Sequence, residues 1–305
     1  MKPRLIFLVG PTASGKTAVS IALAQKLNAE IISCDSMQIY KGMDILSSKP
    51  SGDMRGKIKH HLMDLVPLGS EYNVSQYRVD ALKKVKAILK NKRVPLFVGG
   101  TGLYMTVLVD GIFEMVTEDQ KVRDLLYCEV DRFGSPAVHE KLAIVDPAAA
   151  LKIHPNDARR IVRALEVYEV TGKPITELQK SRKGLGSDFD IKIFCLDVER
   201  DELYRRINAR VERMFRQGLV SEVKRLGKKK LSRTASAAIG IKEVQEYLGG
   251  FISLEEAKER LKQNTRNYSR RQLTWFRKDK RICWVPVKGR DTARAVASKI
   301  EKRLN

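Results

Sequence analysis

The residues Gly10, Pro11, Thr12, Ala13, Ser14, Gly15, Lys16 and Thr17 satisfy every position required of a phosphate-cradling loop. The two glycines let the backbone turn so that several amide N–H groups point inward. Lys16 reaches the terminal phosphates, and the Thr17 hydroxyl is placed to ligate Mg²⁺. The chain is therefore expected to bind a di- or triphosphate.

Asp35 closes the apolar run Ile31-Ile32-Ser33-Cys34 and is followed by Ser36, Met37, Gln38, Ile39 and Tyr40. It suits three roles: a carboxylate holding Mg²⁺, a general base facing a nucleophile beside the phosphates, or a turn cap. Asp197, which ends Ile191-Lys-Ile-Phe-Cys-Leu196, competes for the metal-holding role. Thr101, in Gly99-Gly100-Thr101-Gly102-Leu103-Tyr104, is the one hydrogen-bonding side chain among the first four residues there. These glycines admit a close approach of backbone or substrate, or simply make a tight turn. His60 and His61 are adjacent and cannot readily face one metal ion, so structural hydrogen bonds are the better assignment. Arg159, Arg160 and Arg163 stand at the start of a helix, where the dipole disfavours cations. Either an anionic ligand relieves that cost or the face is merely solvated. Arg210 and Arg213 add cations on a helix near the expected phosphate side.

To position these groups the chain needs strands that end at the phosphate loop. Strand-like runs at Arg4–Val9, Ala29–Ser33, Val94–Val98 and Ile191–Leu196 alternate with helical patterns at Lys16–Leu27, Val74–Lys90 and Glu202–Gln217. That alternation predicts an α/β fold: a parallel sheet wrapped by helices, with the loop between the first strand and first helix. Residues 113–190, rich in helix formers and closed by a turn-rich stretch, predict a helical insertion between core segments 1–112 and 191–305. Asn156 or Asp157 can cap a helix there, stopped by Gly172 and Pro174. Ser253 and Glu256 form a capping box before a long helix running to about Lys278. On it Leu261, Tyr268 and Trp275 share a face, which assigns the aromatics to the core. A closing strand at Ile282–Val285 and a basic terminal helix follow.

The 305 residues carry a formal charge of +22 and a pI of about 9.9, with Lys and Arg spread from Lys16 to Arg303. Such an excess suits a polyanionic partner, although a basic soluble surface has the same composition. Cys34, Cys128, Cys195 and Cys283 lack paired spacing and read as small hydrophobes in a reducing cytoplasm. No apolar stretch reaches the length of a membrane span. A cytoplasmic protein with no membrane association is expected, and a monomer.

Taken in order, GPTASGKT, DSMQIY, HHLMD at 60–64, GGTGLY, HPNDARRIVRALEVYEVTGKP, RVERMFRQGLVSEV, AIGIKE and TRNYSRRQLTWFRKD resemble the tRNA dimethylallyltransferases along nearly the whole chain. The resemblance implies a P-loop NTPase-like core whose insertion grips the anticodon stem. It implies transfer of a dimethylallyl group from dimethylallyl diphosphate to the N6 amine of the adenine 3′-adjacent to the anticodon in tRNA. Mg²⁺ is the implied cofactor, held at Thr17, and residues 10–17 are the diphosphate site. Asp35, Thr101, Lys16 and Arg210 are the implied catalytic residues. Implied tRNA contacts are Asp35, Ser36, Met37, Gln38, Thr101, Arg123, Arg159, Arg160, Ile161, Val162, Arg163 and Lys242. One departure is Ile241, where the family commonly carries tyrosine.

The residue chemistry suits that reaction. An adenine amine is a poor nucleophile because its lone pair is delocalised, so a carboxylate such as Asp35 must accept its proton as the C–N bond forms. The leaving diphosphate needs the cradle of amides, Lys16, Arg210 and Mg²⁺. The target base must leave its stack, with Gln38 or its neighbours reading its edge. A small-molecule or nucleoside kinase using the loop for ATP, and a non-catalytic P-loop RNA-binding protein or NTP-driven remodelling factor, are the competing classes.

Overall fold

A computed structural model describes residues 2–113 and 119–304. The chain divides into two compact units, Met1–Val107 with Gly186–Asn305, and Leu108–Leu185. The first is built on six parallel strands: β1 (Arg4–Val9), β2 (Ala29–Ser33), β3 (His60–His61), β4 (Val94–Gly99), β5 (Asp190–Val198) and β6 (Ile282–Val287), in the order β3-β2-β4-β1-β5-β6. β1 is buried from Leu5 to Val9, as its continuous apolar run requires of a central parallel strand.

Alternation along the strands sorts side chains to the two faces of the sheet. Ile6, Leu8, Ile31, Leu96 and Phe194 join a core with Leu23 of the helix Lys16–Leu27, Ile207 of Arg200–Arg216 and Ile300 of Ala293–Glu301. The intervening residues Phe7 and Phe97 stack with ring centroids 4.6 Å apart. The long helix Leu254–Arg277 starts from the expected capping box: Ser253 Oγ accepts from Glu256 N at 3.2 Å, and Ser253 N donates to Glu256 Oε2 at 2.9 Å.

The second unit is helical, with Gln120–Phe133, Ser135–Val145 and Ala158–Thr171 packed on Leu126, Val138, Leu142 and Leu165. Asp157 is the residue that caps the last of these, through Arg160 N at 3.2 Å, and Gly172 ends it in the left-handed region. Residues 114–118, inside the expected insertion, lie outside the described residues.

The sheet register brings the chemistry to one edge. Val9 pairs with both Gly99 and Cys195, and Ser33 pairs with Val98. The phosphate loop after β1, Asp35 after β2 and Thr101 after β4 therefore leave the sheet side by side at its carboxyl end, where α/β folds bind ligands.

Candidate active site

The phosphate loop adopts the shape its glycines permit. Gly10 has φ +144° and Gly15 φ +95°, and Gly15 opens the helix Lys16–Leu27 without any side-chain cap. The first N–H groups of that helix thus lack a side-chain partner, at the positive end of a 12-residue helix dipole. The Lys16 ammonium donates to the carbonyls of Gly10 at 2.9 Å and Pro11 at 2.7 Å. Ser14 is buried, and its hydroxyl has no hydrogen-bond partner among the described residues.

Beside the loop, Asp35 Oδ1 accepts from Met37 N at 2.9 Å and Gln38 N at 3.4 Å, which fixes the turn after β2. Thr101 Oγ1 accepts from Ser36 N at 3.0 Å, while Thr101 N donates to Cys34 O at 3.2 Å. These bonds tie the Asp35 turn to the Gly99–Thr101 turn. A Cβ on Gly99 would lie 1.9 Å from Cys34 O, so the glycine there serves a close backbone approach. Gln38 accepts from Ser33 Oγ at 3.0 Å.

A cavity of about 710 Å³ opens over these groups, lined by Lys16 and Thr17, by Asp35 to Gln38, and by Arg210 and Arg213. Its apolar wall includes Met37, Leu46, Met214, Ile239 and Leu261. Burial lowers the Lys16 pKa to about 8, partly opposed by the Asp35 carboxylate and reinforced by Arg210. Burial also lowers Arg210, again opposed by Asp35. Two partly desolvated cations beside one carboxylate make a site that favours an added anion. Cys34 and Cys195 are buried, and burial pushes both thiols up to about 12, leaving them inert.

Tyr268 and Gln272 are cavity residues whose place was not anticipated from sequence. Tyr268, assigned to the core, instead lines the cavity, with its hydroxyl interacting with Thr101 and Gln272. Gln272 lines it four residues further along the same helix. Leu261, Thr265, Tyr268 and Gln272 form a stripe at helical spacing, and its polar members were the available signal. Trp275, also assigned to the core, is half-buried, and its indole N–H donates to Thr106 Oγ1 at 3.3 Å. The cavity residue Leu46 is set by a third unanticipated group, Glu222, whose buried carboxylate accepts from the backbone N–H of Asp44, Ile45 and Leu46 at 2.9–3.1 Å.

The histidines make the hydrogen bonds expected of them. His61 Nε2 lies 2.6 Å from Glu30 Oε2, and His60 Nδ1 lies 2.7 Å from Ile58 O. Asp197 is exposed on β5 and is not among the residues lining the cavity, whereas Asp35 is.

In the second unit, Ile161 and Val162 are buried in its apolar core, where their side chains hold helices together. The arginine cluster is also less exposed to its own repulsion than expected. Glu166, fully buried, accepts from Arg123 at 2.9 Å and Arg163 at 2.9 Å, and Arg160 lies 3.5 Å from Asp157. Arg123 and Arg163 therefore brace the unit by neutralising a buried carboxylate, while Arg159 is exposed and Arg160 mostly so. In the first unit, Lys242 is exposed and 3.7 Å from Glu246, and Ile241 is buried, which makes that position part of the core.

The chain as a whole is similar to known proteins in sequence and in structure. A family model described as IPP transferase matches residues 38–279, and one described as isopentenyl transferase matches residues 3–65. A tRNA dimethylallyltransferase of Geobacter sulfurreducens is 44% identical over 93% of this chain and 92% of its own length. That of Pelotomaculum thermopropionicum is 42% identical over 99% and 96%. The crystal structure of the full-length tRNA isopentenylpyrophosphate transferase from Bacillus halodurans superimposes with a TM-score of 0.71 at 37% identity, covering 99% of this chain and 97% of that one. A eukaryotic dimethylallyltransferase acting on tRNA gives 0.83 at 30% identity, covering 98% and 77%. With similarity running through both the phosphate loop and the elements that surround the cavity, the chain belongs to the IPP transferase family.

Proposed function

We propose that the protein transfers a dimethylallyl group from dimethylallyl diphosphate to the exocyclic N6 amine of the adenine 3′-adjacent to the anticodon in tRNA, releasing diphosphate. The observation that carries this reading is a cavity lined together by the phosphate loop, Asp35, Arg210 and apolar side chains. A polar end for diphosphate and an apolar end for a five-carbon chain are what such a substrate needs. The amine attacks the carbon bearing the diphosphate, the C–O bond breaks with its electrons leaving on oxygen, and Asp35 accepts the amine proton. Lys16, Arg210 and the loop amides meet the charge that develops on the leaving group. Tyr268, whose phenol is pushed up by burial and by Asp35, stays protonated and can donate beside Thr101.

Among the described residues, no group of three His, Cys, Asp or Glu side chains gathers into a metal cage. The Thr17 hydroxyl beside a phosphate loop suits Mg²⁺, which takes phosphate oxygens and keeps several waters. Such an ion would neutralise charge on the diphosphate. Thr17→Ala is accordingly expected to raise the Mg²⁺ concentration giving half-maximal rate, by about tenfold if one hydroxyl ligand is lost. A magnesium titration superimposable on that of the wild type would remove Thr17 from metal binding.

For the second unit, Arg159 and Arg160 are the exposed members of the arginine cluster at the start of Ala158–Thr171 and are available to a phosphate backbone. Replacing both by alanine should raise the tRNA Kd and flatten its salt dependence by about 0.7 to 0.9 of a slope unit per lost contact. Affinity for the small diphosphate should not change. Identical slopes for variant and wild type would mean a solvated face. Arg163 is left intact in this test because it serves Glu166.

The reaction itself is tested by incubating the protein and bulk tRNA with radiolabelled dimethylallyl diphosphate, and in a parallel tube with radiolabelled ATP. Label entering RNA from the prenyl diphosphate alone is the expected result. Transfer from ATP, or RNA-stimulated ATP hydrolysis, would replace the reading with a kinase or a remodelling factor.

A further inference from the structure

We propose that Gln272 is a positioning residue for this reaction: one buried carboxamide that locks the phosphate loop to the Gly99–Thr101 turn and so holds the diphosphate in register with the proton-accepting side. The inference rests on the prenyl-transfer reading given above. It also makes a claim about the loop that holds whatever the acceptor is.

Both ends of the side chain are occupied. Oε1 accepts from Thr12 N at 2.9 Å, and Nε2 donates to Gly100 O at 2.9 Å. The residue is 6% exposed. Its partners are far away in sequence and lie on the neighbouring turns that follow β1 and β4. Thr12 lies in the loop whose Gly10 and Pro11 carbonyls receive the Lys16 ammonium. Gly100 precedes Thr101, whose hydroxyl holds Ser36 N next to Asp35. One side chain from the helix Leu254–Arg277 thus links the group that faces the leaving diphosphate to the group that faces the nucleophile.

The seat is cut for an amide. A Cβ at Gly100 would come within 2.2 Å of Nε2, so the backbone has yielded space to this side chain. Ala13, next to Thr12, is held at φ +63°, a left-handed conformation that an alanine leaves readily unless its neighbours fix it. A neutral carboxamide offers a donor and an acceptor at its two ends at once. Leucine of similar size offers neither. An ionised glutamate keeps the acceptor for Thr12 N but turns a second oxygen toward Gly100 O, whereas a protonated glutamic acid restores both bonds.

That difference gives a test that a merely space-filling role would not pass. Gln272→Leu should weaken inorganic pyrophosphate binding, measured calorimetrically with Mg²⁺, by about tenfold, the loss of one or two buried hydrogen bonds. It should lower kcat/KM for the prenyl diphosphate at least as much, with tRNA affinity within about twofold of wild type. Gln272→Glu should be impaired at about pH 8 and recover relative to wild type as pH falls toward about 6, because burial raises the carboxyl pKa into that range. Taking the ratio to wild type at each pH cancels the titration of the substrate and of groups shared by both proteins. Pyrophosphate affinity and kcat/KM unchanged in Gln272→Leu, or a Gln272→Glu deficit that does not vary with pH, would overturn the proposal. If the wild type binds pyrophosphate but transfers no prenyl group to tRNA, the functional reading fails, while the pyrophosphate titrations still decide whether Gln272 sets the loop.

Discussion

Asp35→Asn is expected to lower the single-turnover rate of prenyl transfer by about 10²- to 10⁴-fold, the span usual for loss of a general base. Affinity for tRNA should stay close to wild type, because a base acts on the proton in the transition state more than on the bound ground state. Asparagine is the informative replacement. Its side-chain oxygen still accepts from Met37 N and Gln38 N, so the turn after β2 survives and only the basic oxygen is lost. Asp35→Ala removes both, and the gap between the two variants measures what the turn contributes. A full rate in Asp35→Asn would reduce Asp35 to a turn cap. A loss confined to tRNA affinity would make it a recognition residue.

Lys16→Ala should cost about 10²- to 10³-fold in kcat/KM for the prenyl diphosphate, comparable to deleting one preorganised donor to a developing anion. Its signature is a pH dependence. Burial lowers the Lys16 pKa from 10.5 to about 8, so the ammonium is present below that pH and is lost as pH rises through it. Wild-type pyrophosphate affinity should therefore decline above about pH 8, and the alanine variant should not show that step. The same shift has a stability consequence of opposite sign. Between about 8 and 10.5 the unfolded chain holds a proton at Lys16 that the folded chain does not, so this residue's destabilising effect shrinks as pH rises across that window. An affinity profile with the same step in both proteins would assign the titration to another group.

By itself, the amino-acid sequence determined the local features. The loop at residues 10–17, the strands at Arg4–Val9 and Ala29–Ser33, the helices Lys16–Leu27 and Val74–Lys90, and the capping box at Ser253 are specified by neighbouring residues: apolar period, glycine positions and side chains that satisfy adjacent N–H groups. The same holds for the ordered series of segments that marks the family. Tertiary structure decided what depends on distant partners. Nothing near Gly100 announces that Gln272 fills the space its missing Cβ leaves, nor does anything near Leu46 announce that Glu222 holds its backbone. Tyr268 could be placed on a face by its spacing, but whether that face meets core or cavity depends on how the helix crosses the sheet edge. Ile161 and Val162 sit among basic residues in sequence, yet the 3.6-residue turn of the helix carries them inward while Arg159 stays outside. Arg123 and Arg163 converge on Glu166 for a reason no local pattern contains: a buried carboxylate is tolerated only where the fold brings cations to it.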